Sequence, residues 1–237
     1  MQRFVFGIGV AVRRLMLLAA MATLSGCATL DGPVGIDLEA AQADMYGPLP
    51  EERFPIPATR IANVDPKYLR TQVAYETAEH PGTIVVDTSN RFLYLVQDGG
   101  TAMRYGIGVG QAGLELEGSA IVARKAEWPR WTPTQDMIRR NPEINAQWAG
   151  GMEPGLTNPL GARALYLHRD GRDTLFRIHG TSEPRSIGKA ISSGCIRLFN
   201  QDIVDLYRRV PVGTKVVVLQ NVAVSDNSSA SQSGQPL

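Results

Sequence analysis

The chain has 237 residues, with 24 basic and 23 acidic side chains and a formal net charge of only +1. That length allows one good-sized hydrophobic core with tails, and the near-neutral charge, without a basic block beyond the N-terminus, argues against a nucleic-acid partner. A hydrophobic content of 43% with 24 glycines and 15 prolines is typical of a turn-rich globular protein and excludes a wholly disordered one.

The N-terminal segment has the pattern of a targeting sequence. Three arginines within the first fourteen residues precede an apolar run at 15–22, which is too short for a comfortable membrane span. Residues 24–27, Leu-Ser-Gly-Cys, resemble the lipobox of bacterial lipoproteins, so we expect residues 1–27 to be a lipoprotein signal peptide and Cys27 to be lipidated. The residue after Cys27 is Ala28 and not the aspartate that retains lipoproteins in the inner membrane. In a Gram-negative source, the resemblance therefore implies an anchor in the outer membrane that faces the periplasm. An ordinary signal peptide or an uncleaved anchor is the alternative.

The next stretch and the C-terminus lack sustained periodicity. Residues 28–60 contain five prolines and are predicted to form a Pro-rich tether. The pair Asp65-Pro66 is typical of a helix start, which predicts a short helix over 66–74 within a helical lead-in at 61–81. Residues 221–237 are rich in Ser, Gln and Asn, and we expect a disordered tail there.

Residues 82–220 are predicted to be mostly β-structure. Runs of β-branched and aromatic residues predict strands at 83–86, 92–96, 103–109, 119–123, 164–168, 175–179 and 215–219. One helix is predicted over 201–209, with Asn200 as its N-cap. Many short strands with one or two short helices favour a mainly-β fold, a β-sandwich or a barrel-like sheet.

A histidine and a cysteine, each beside a glycine, lie sixteen positions apart in His179-Gly180 and Gly194-Cys195. A thiol with an unperturbed pKa near 8.5 is only about 3% thiolate at pH 7, and a nearby imidazole is the usual base. If Cys27 carries lipid, Cys195 has no disulfide partner in an oxidising compartment. The pair therefore predicts an acyl-transfer enzyme that works through a thioester; a buried, inert cysteine is the alternative.

Strand alternation predicts which of these side chains share a surface. Arg177 and His179 are two positions apart on one predicted strand, so they lie on the same face. By the same rule Cys195 and Arg197 share a face, with Ile196 buried opposite. We therefore expect the polar side chains of these two segments on one surface, above an apolar layer.

These segments resemble the YkuD-type L,D-transpeptidase catalytic domain, whose signature is His-Gly and then, after a spacer, Ser-x-Gly-Cys-apolar-Arg. The resemblance extends over about 82–219 and implies a mostly-β sandwich. Ser192 opens the second motif and is expected to brace the loop. Many family members have a second histidine where this chain has Ser193, so no role of that histidine carries over.

The resemblance implies roles for the matching residues. Cys195 is the nucleophile, His179 is the base, and the backbone carbonyl of Gly180 orients the imidazole. Backbone amides at Gly194 and Cys195 stabilise the oxyanion, for which one lost donor typically raises the barrier by about 3 kcal/mol. Arg197 holds the site or a substrate carboxylate.

The implied reaction is the transfer of a peptidoglycan stem peptide. The thiolate attacks the bond between the diamino acid and D-alanine of a stem tetrapeptide, and an amine then takes the acyl group from the thioester. A second stem as acceptor gives a 3→3 cross-link, a protein amine gives protein attachment, and water gives trimming. No cofactor is implied, and carbapenem-type inhibitors are expected to acylate Cys195. The alternatives are a carboxypeptidase, an amidase, or a non-catalytic wall-binding lipoprotein.

Two further features have less specific interpretations. The aromatic-proline loop at 128–133 is predicted either to cap the core or to form a wall of the cleft. With three histidines in the chain and no clustered cysteines or carboxylates, a metal site is not expected.

Overall fold

The computed structural model describes residues 43–110, 117–191 and 195–219. The predicted signal peptide with Cys27, the first part of the predicted tether and the predicted disordered tail lie outside these residues, and so do Ser192, Ser193 and Gly194. No helix within the described ranges is long and apolar enough to cross a membrane.

The described residues form one mostly antiparallel sheet of eleven strands. The strands are β1 (Thr71–Ala74), β2 (Ile84–Asp87), β3 (Phe92–Gln97), β4 (Thr101–Gly106), β5 (Gly108–Gly110), β6 (Gly118–Glu127), β7 (Arg163–Arg169), β8 (Arg172–His179), β9 (Ala190–Ile191), β10 (Ile196–Arg197) and β11 (Lys215–Leu219). Their order in the sheet is β1-β4-β3-β2-β11-β6-β7-β8-β10-β5-β9. The mainly-β prediction is confirmed.

The sheet curls until its two ends nearly meet. The single strand predicted over 103–109 is divided into β4, which ends at Gly106, and β5, which begins at Gly108. Only Ile107 separates them, yet β4 and β5 lie near opposite ends of the strand order. One residue cannot span an open sheet of this width, so the sheet must close around its own inner face.

The hydrophobic core fills this enclosed space. On β2, Ile84 and Val86 face Val216 and Val218 of the parallel strand β11, and all four are buried. Strand side chains alternate between two faces, so the inner face of each strand collects β-branched and leucine residues. Each such side chain contributes about 1.5–3 kcal/mol when fully buried, which makes the curled sheet a rigid platform for its outer surface.

Three short α-helices lie wholly within the described residues: α1 (Gln135–Arg140), α2 (Pro142–Asn145) and α3 (Asn200–Arg209). The predicted helix over 201–209 is confirmed, and its Ile203 and Leu206 are fully buried in the main core. Asn200, however, is the first helical residue and not the N-cap, which is Phe199 without a side-chain capping bond. The Asn200 side chain instead forms hydrogen bonds with the backbone of two loops.

The helix predicted over 66–74 is wrong beyond Tyr68. Only Pro66–Tyr68 forms a single 3-10 turn, in which the Asp65 side chain accepts a hydrogen bond from the Lys67 amide at 3.1 Å. Thr71–Ala74 is strand β1 instead, paired antiparallel with β4 along its whole length. Pairing with the open side of β4 gives the backbone of both strands hydrogen bonds that a short helix would leave unmade.

From residue 43 onwards, the segment predicted as a tether packs against the rest of the fold. Tyr46 is 1% exposed, and its ring meets that of Phe199 edge-on at 5.5 Å. Its hydroxyl donates to Asp202 at 3.0 Å and accepts from the backbone amide of Arg70 at 2.6 Å. Gln201 also donates to the carbonyl oxygen of Pro57 at 3.0 Å. This segment therefore belongs to the folded unit.

The aromatic-proline loop caps a smaller apolar cluster. Trp128 is 4% exposed and packs edge-on against Phe54 with ring centroids 4.9 Å apart. Its indole N–H donates to Glu52 at 3.0 Å, and the same carboxylate accepts from Arg163 at 2.7 Å. For this tryptophan, the structure matches the core-capping interpretation.

Candidate active site

The site is built on two neighbouring parallel strands. In the pairing of β10 with β8, Ile196 is opposite Ile178 and Arg197 is opposite His179. Both isoleucines are fully buried, so the outer face carries Arg197 beside His179, as the alternation pattern predicts. The inward isoleucines fix the height and direction of both polar side chains above the core.

His179 is the last residue of β8 and is only 4% exposed. Its Nδ1 lies 2.6 Å from the carbonyl oxygen of Gly180, the contact that the family resemblance implies. A carbonyl can only accept, so this contact places the proton of a neutral ring on Nδ1 and leaves Nε2 as the basic atom. Burial, reinforced by the charges of Arg197 and Arg177, lowers the pKa of His179 to about 4. The imidazole is therefore neutral at pH 7 and able to accept a proton.

Cys195 directly precedes β10 and is half-buried. Its thiol donates to the carbonyl oxygen of Leu175 at 3.6 Å, and its own carbonyl accepts from the amide of Gly110 at 3.0 Å. Both Cys195 and His179 belong to the described residues, and no hydrogen bond joins Sγ to the imidazole. Catalytic hydrogen bonds often tighten only when substrate binds, so this is the geometry of a resting site.

The thiol is protonated in this resting state. Burial raises the pKa of Cys195, while the backbone amide and the guanidinium of Arg177, together with Arg197, act in the opposite direction. Asp173 raises it further. The site thus holds a protonated thiol and a neutral imidazole.

A bulge in β8 aims the Leu175 carbonyl at the thiol. Leu175 has a φ of 63°, which is rare for a residue other than glycine, and its side chain is exposed. The β7–β8 pairing shifts between Tyr166 and His168, opposite this position. Asp173 supports the bulge by accepting a hydrogen bond from the Leu175 amide at 2.8 Å. Nothing in the sequence indicated this irregularity, because the run 175–179 has an ordinary strand pattern.

Arg177 is held beside the thiol by the same carboxylate. Its two terminal nitrogens donate to the two oxygens of Asp173 at 2.7 and 2.8 Å. Its guanidinium carbon lies 4.4 Å from the ring centroid of Tyr166, whose ring also carries Arg124 at 3.4 Å. A bidentate pair stacked on an aromatic ring has a fixed geometry, so Arg177 keeps a permanent positive charge near Cys195. The alternation pattern predicted that Arg177 lies on the face of His179, but it did not indicate Asp173 as the partner of Arg177.

Arg197 lies between the site and the loop that follows His179. Its Nη1 donates to Glu183 at 2.9 Å, although the Glu183 side chain is 69% exposed. The Glu183 amide in turn donates to the hydroxyl of Thr181, a buried residue, at 2.9 Å. The predicted carboxylate-binding arginine thus contacts a carboxylate of its own chain, one that solvent or a ligand can reach.

Asn200 holds the loop after His179 in place, which sequence analysis missed by assigning it a capping role. Its Oδ1 accepts from the Ala162 amide at 3.0 Å, and its Nδ2 donates to the Thr181 carbonyl at 3.1 Å. A Cβ at Gly180 would collide with this Oδ1, so only glycine fits there. The glycine beside the histidine thus allows a close approach between two loops.

The remaining predicted site residues, Ser192, Ser193 and Gly194, lie outside the described residues, so their roles stay predictions. Within the part of the chain that the structure describes, no group of three His, Cys, Asp or Glu side chains is placed to hold a metal ion.

Comparison with known proteins identifies relatives over the same region. A probable L,D-transpeptidase of Escherichia coli strain K12, ErfK/SrfK, is 38% identical over 140 residues, which is 58% of this chain and 44% of that protein. A second from the same strain, YbiS, is 36% identical over 139 residues, again 58% of this chain and 44% of the relative. The chain thus spans less than half the length of these curated relatives.

Solved structures and a family model also match. A crystal structure from Brucella melitensis, described as a probable carnitine operon oxidoreductase, is 50% identical; the match covers 68% of this chain and 99% of that one, with a TM-score of 0.47. The family model described as the L,D-transpeptidase catalytic domain, YkuD, matches residues 81–218, which is more than half of the chain and includes both His179 and Cys195. The chain therefore belongs to the L,D-transpeptidase catalytic domain family.

Proposed function

We propose that this protein is a peptidoglycan L,D-transpeptidase that works through a thioester on Cys195. The observation that carries the proposal is the paired register of β8 and β10, in which β8 ends at the Nδ1-anchored His179 and β10 begins directly after Cys195. Membership of the family supplies the reaction class.

In the first half-reaction, Sγ of Cys195 forms a bond to the carbonyl carbon between the diamino acid and the terminal D-alanine of a stem tetrapeptide. The thiol proton passes to Nε2 of His179 as that bond forms, because the resting thiol is too weakly acidic to ionise beforehand. The oxyanion then collapses, the carbon–nitrogen bond breaks, and D-alanine leaves with the proton from His179. Arg177 and Arg197 disfavour the imidazolium and so promote this second proton transfer.

In the second half-reaction, an amine attacks the thioester and loses its proton to His179, and the Cys195 thiol is released. A diamino-acid amine of a second stem gives a 3→3 cross-link, which is the outcome we propose. A protein amine as acceptor, or hydrolysis by water, uses the same thioester.

We further propose that the protein works in the cell envelope, anchored through lipid on Cys27. The support is the pattern of residues 1–27, with its positive charge, short apolar run and lipobox-like ending. Metabolic labelling with a radioactive fatty acid tests this, since a Cys27→Ala variant would carry no label. Labelling of the variant at the native level would contradict lipidation at this position.

The reaction is tested by incubating the purified protein with tetrapeptide muropeptides and analysing the products by mass spectrometry, beside Cys195→Ala. Dimers together with free D-alanine support transpeptidation, whereas tripeptide monomers alone indicate a carboxypeptidase. A mass increase on Cys195 after treatment with a carbapenem is a second expected result. Absence of any thioester and of any Cys195-dependent change would leave the non-catalytic wall-binding function.

A further inference from the structure

A large groove lies beside the loop that follows His179. Its volume is about 1140 Å³; one wall comes from residues within 56–68, and the other from residues 181–189. Phe199 lies among the lining residues and is itself buried, so the groove has a rigid base. The groove is large enough for a short peptide.

The first wall precedes the region matched by the family model, which begins at residue 81. It is nevertheless firmly attached: the hydroxyl of Thr59 donates to Gln201 at 2.8 Å, and Gln201 donates to the Pro57 carbonyl at 3.0 Å. Gly188 has a φ of 81°, and a Cβ there would overlap the ring of Tyr68, so the two walls are in close contact. The groove is therefore preformed, and one of its walls comes from residues that precede the family match.

The charges along the groove favour an anionic ligand. Its two acidic side chains are already paired, Asp65 with Lys67 at 3.1 Å and Glu183 with Arg197 at 2.9 Å. Its three cations are exposed, and no ion pair joins them to another of the described residues: Arg60, Arg185 and Lys189. Unpaired cations along a concave surface attract carboxylates.

The groove approaches the site from the side of the base. Thr181 lines it and follows the His179-Gly180 pair directly, and Glu183 in its wall contacts Arg197, the strand neighbour of His179. The side chains of His179 and Cys195 do not themselves line it, and its lining on this side begins two residues after His179, at Thr181. A ligand in this groove therefore lies against the loop that follows His179, on the side of the base, from which an amine awaiting deprotonation would approach.

We propose that this groove binds the acceptor stem peptide and holds its carboxylates against Arg60 and Arg185. The inference rests on the proposed transpeptidase function, whose second half-reaction requires an amine delivered to His179. A stem peptide combines such an amine with the carboxylates of its acidic and diamino-acid residues, so its charge pattern suits a cationic groove that ends at the loop following the base.

The direct test is the binding of a tripeptide stem, which lacks D-alanine and so cannot acylate Cys195. Isothermal titration compares the native protein with an Arg60→Glu, Arg185→Glu variant and with an Arg172→Glu, Arg208→Glu control that changes the net charge equally at exposed positions away from the groove. We expect the groove variant to bind about tenfold more weakly and the control to bind as the native protein does. Added salt should weaken binding to the native protein and change the groove variant little.

Equal affinities for native protein and groove variant would overturn the proposal, and so would an equal loss in the control. This result does not depend on catalysis, so failure of the protein to form a thioester would remove the proposed function and leave the groove assignment to be judged by binding alone.

With active protein, the ratio of dimer to tripeptide product adds a second readout, because both products come from one thioester. The groove variant is expected to shift this ratio toward tripeptide by about tenfold. If both products fell together at a constant ratio, the groove would serve the donor stem, and the acceptor assignment would be wrong.

Discussion

Replacing Tyr46 by phenylalanine should destabilise the whole domain, although Tyr46 lies outside the family match. The hydroxyl accepts a hydrogen bond from the buried Arg70 amide and donates one to the fully buried Asp202. Leaving a buried amide unpaired costs about 1–3 kcal/mol, and losing a hydrogen bond to an ionised group costs about 1.5–3 kcal/mol. At pH 8 we therefore expect Tyr46→Phe to lower the free energy of unfolding by about 3–5 kcal/mol.

The loss should be smaller at pH 5. Burial raises the pKa of Asp202 to about 7, against the lowering effects of Arg70 and of the Tyr46 hydrogen bond. Because the folded-state pKa of Asp202 is higher than its unfolded-state pKa near 4, protonated Asp202 stabilises the folded state. This contribution is full below pH 4 and is lost as the pH rises through 7. Without the Tyr46 hydroxyl the carboxylate loses a donor and the folded-state pKa rises further, so the penalty grows above pH 7.

The measurement is urea unfolding of both proteins at pH 5 and pH 8, with Tyr94→Phe as the matched control. The Tyr94 ring stacks on Tyr75 at 4.3 Å, and among the described residues its hydroxyl makes no hydrogen bond, so the control should retain native stability. A loss below about 1 kcal/mol at both pH values, less than one unmade buried hydrogen bond, would refute the cooperative packing of the N-terminal segment. An equal loss at both pH values would refute the titration of Asp202.

Three further predictions concern the site. Arg177→Ala should raise the pKa of the Cys195 thiol, because the guanidinium lowers it, so the pH midpoint of alkylation by iodoacetamide should move upward; an unchanged or lower midpoint would contradict this. Asn200→Ala should lower the free energy of unfolding by about 1–3 kcal/mol and reduce kcat, whereas Asn145→Ala, whose amide bonds only to the end of α1, should keep native kcat. Because the pKa of His179 is lowered to about 4, the rate of acyl transfer should fall on the acid side with a midpoint near pH 4 and not near 6.5, which a pH–rate profile measures.

Much of the sheet could be predicted because its strands are marked locally. The β-branched runs at 83–86 and 215–219 correspond to β2 and β11, and the motif residues His179 and Arg197 are paired on neighbouring strands, on the face that alternation indicates. Such patterns depend only on the near neighbours of each residue.

What could not be predicted depends on contacts between distant parts of the chain. The segment at 71–74 forms a strand because it pairs with the edge of β4. Asn200 does not cap its helix because its side-chain amide binds the backbone of two loops. The left-handed Leu175 is stabilised by Asp173 and by the shifted β7–β8 pairing, neither of which has a sequence signature. Tyr46 is buried by a helix more than 150 residues away.

The hydrogen bond from Cys195 to the Leu175 carbonyl has a consequence for survival of the thiol. Oxidants and disulfides react with the thiolate, not with the protonated sulfur. A thiol that donates its proton to a carbonyl oxygen and has a raised pKa, as Cys195 does, presents very little thiolate to peroxide. The bulge in β8, which provides this carbonyl, therefore protects the sulfur against oxidation in the resting state.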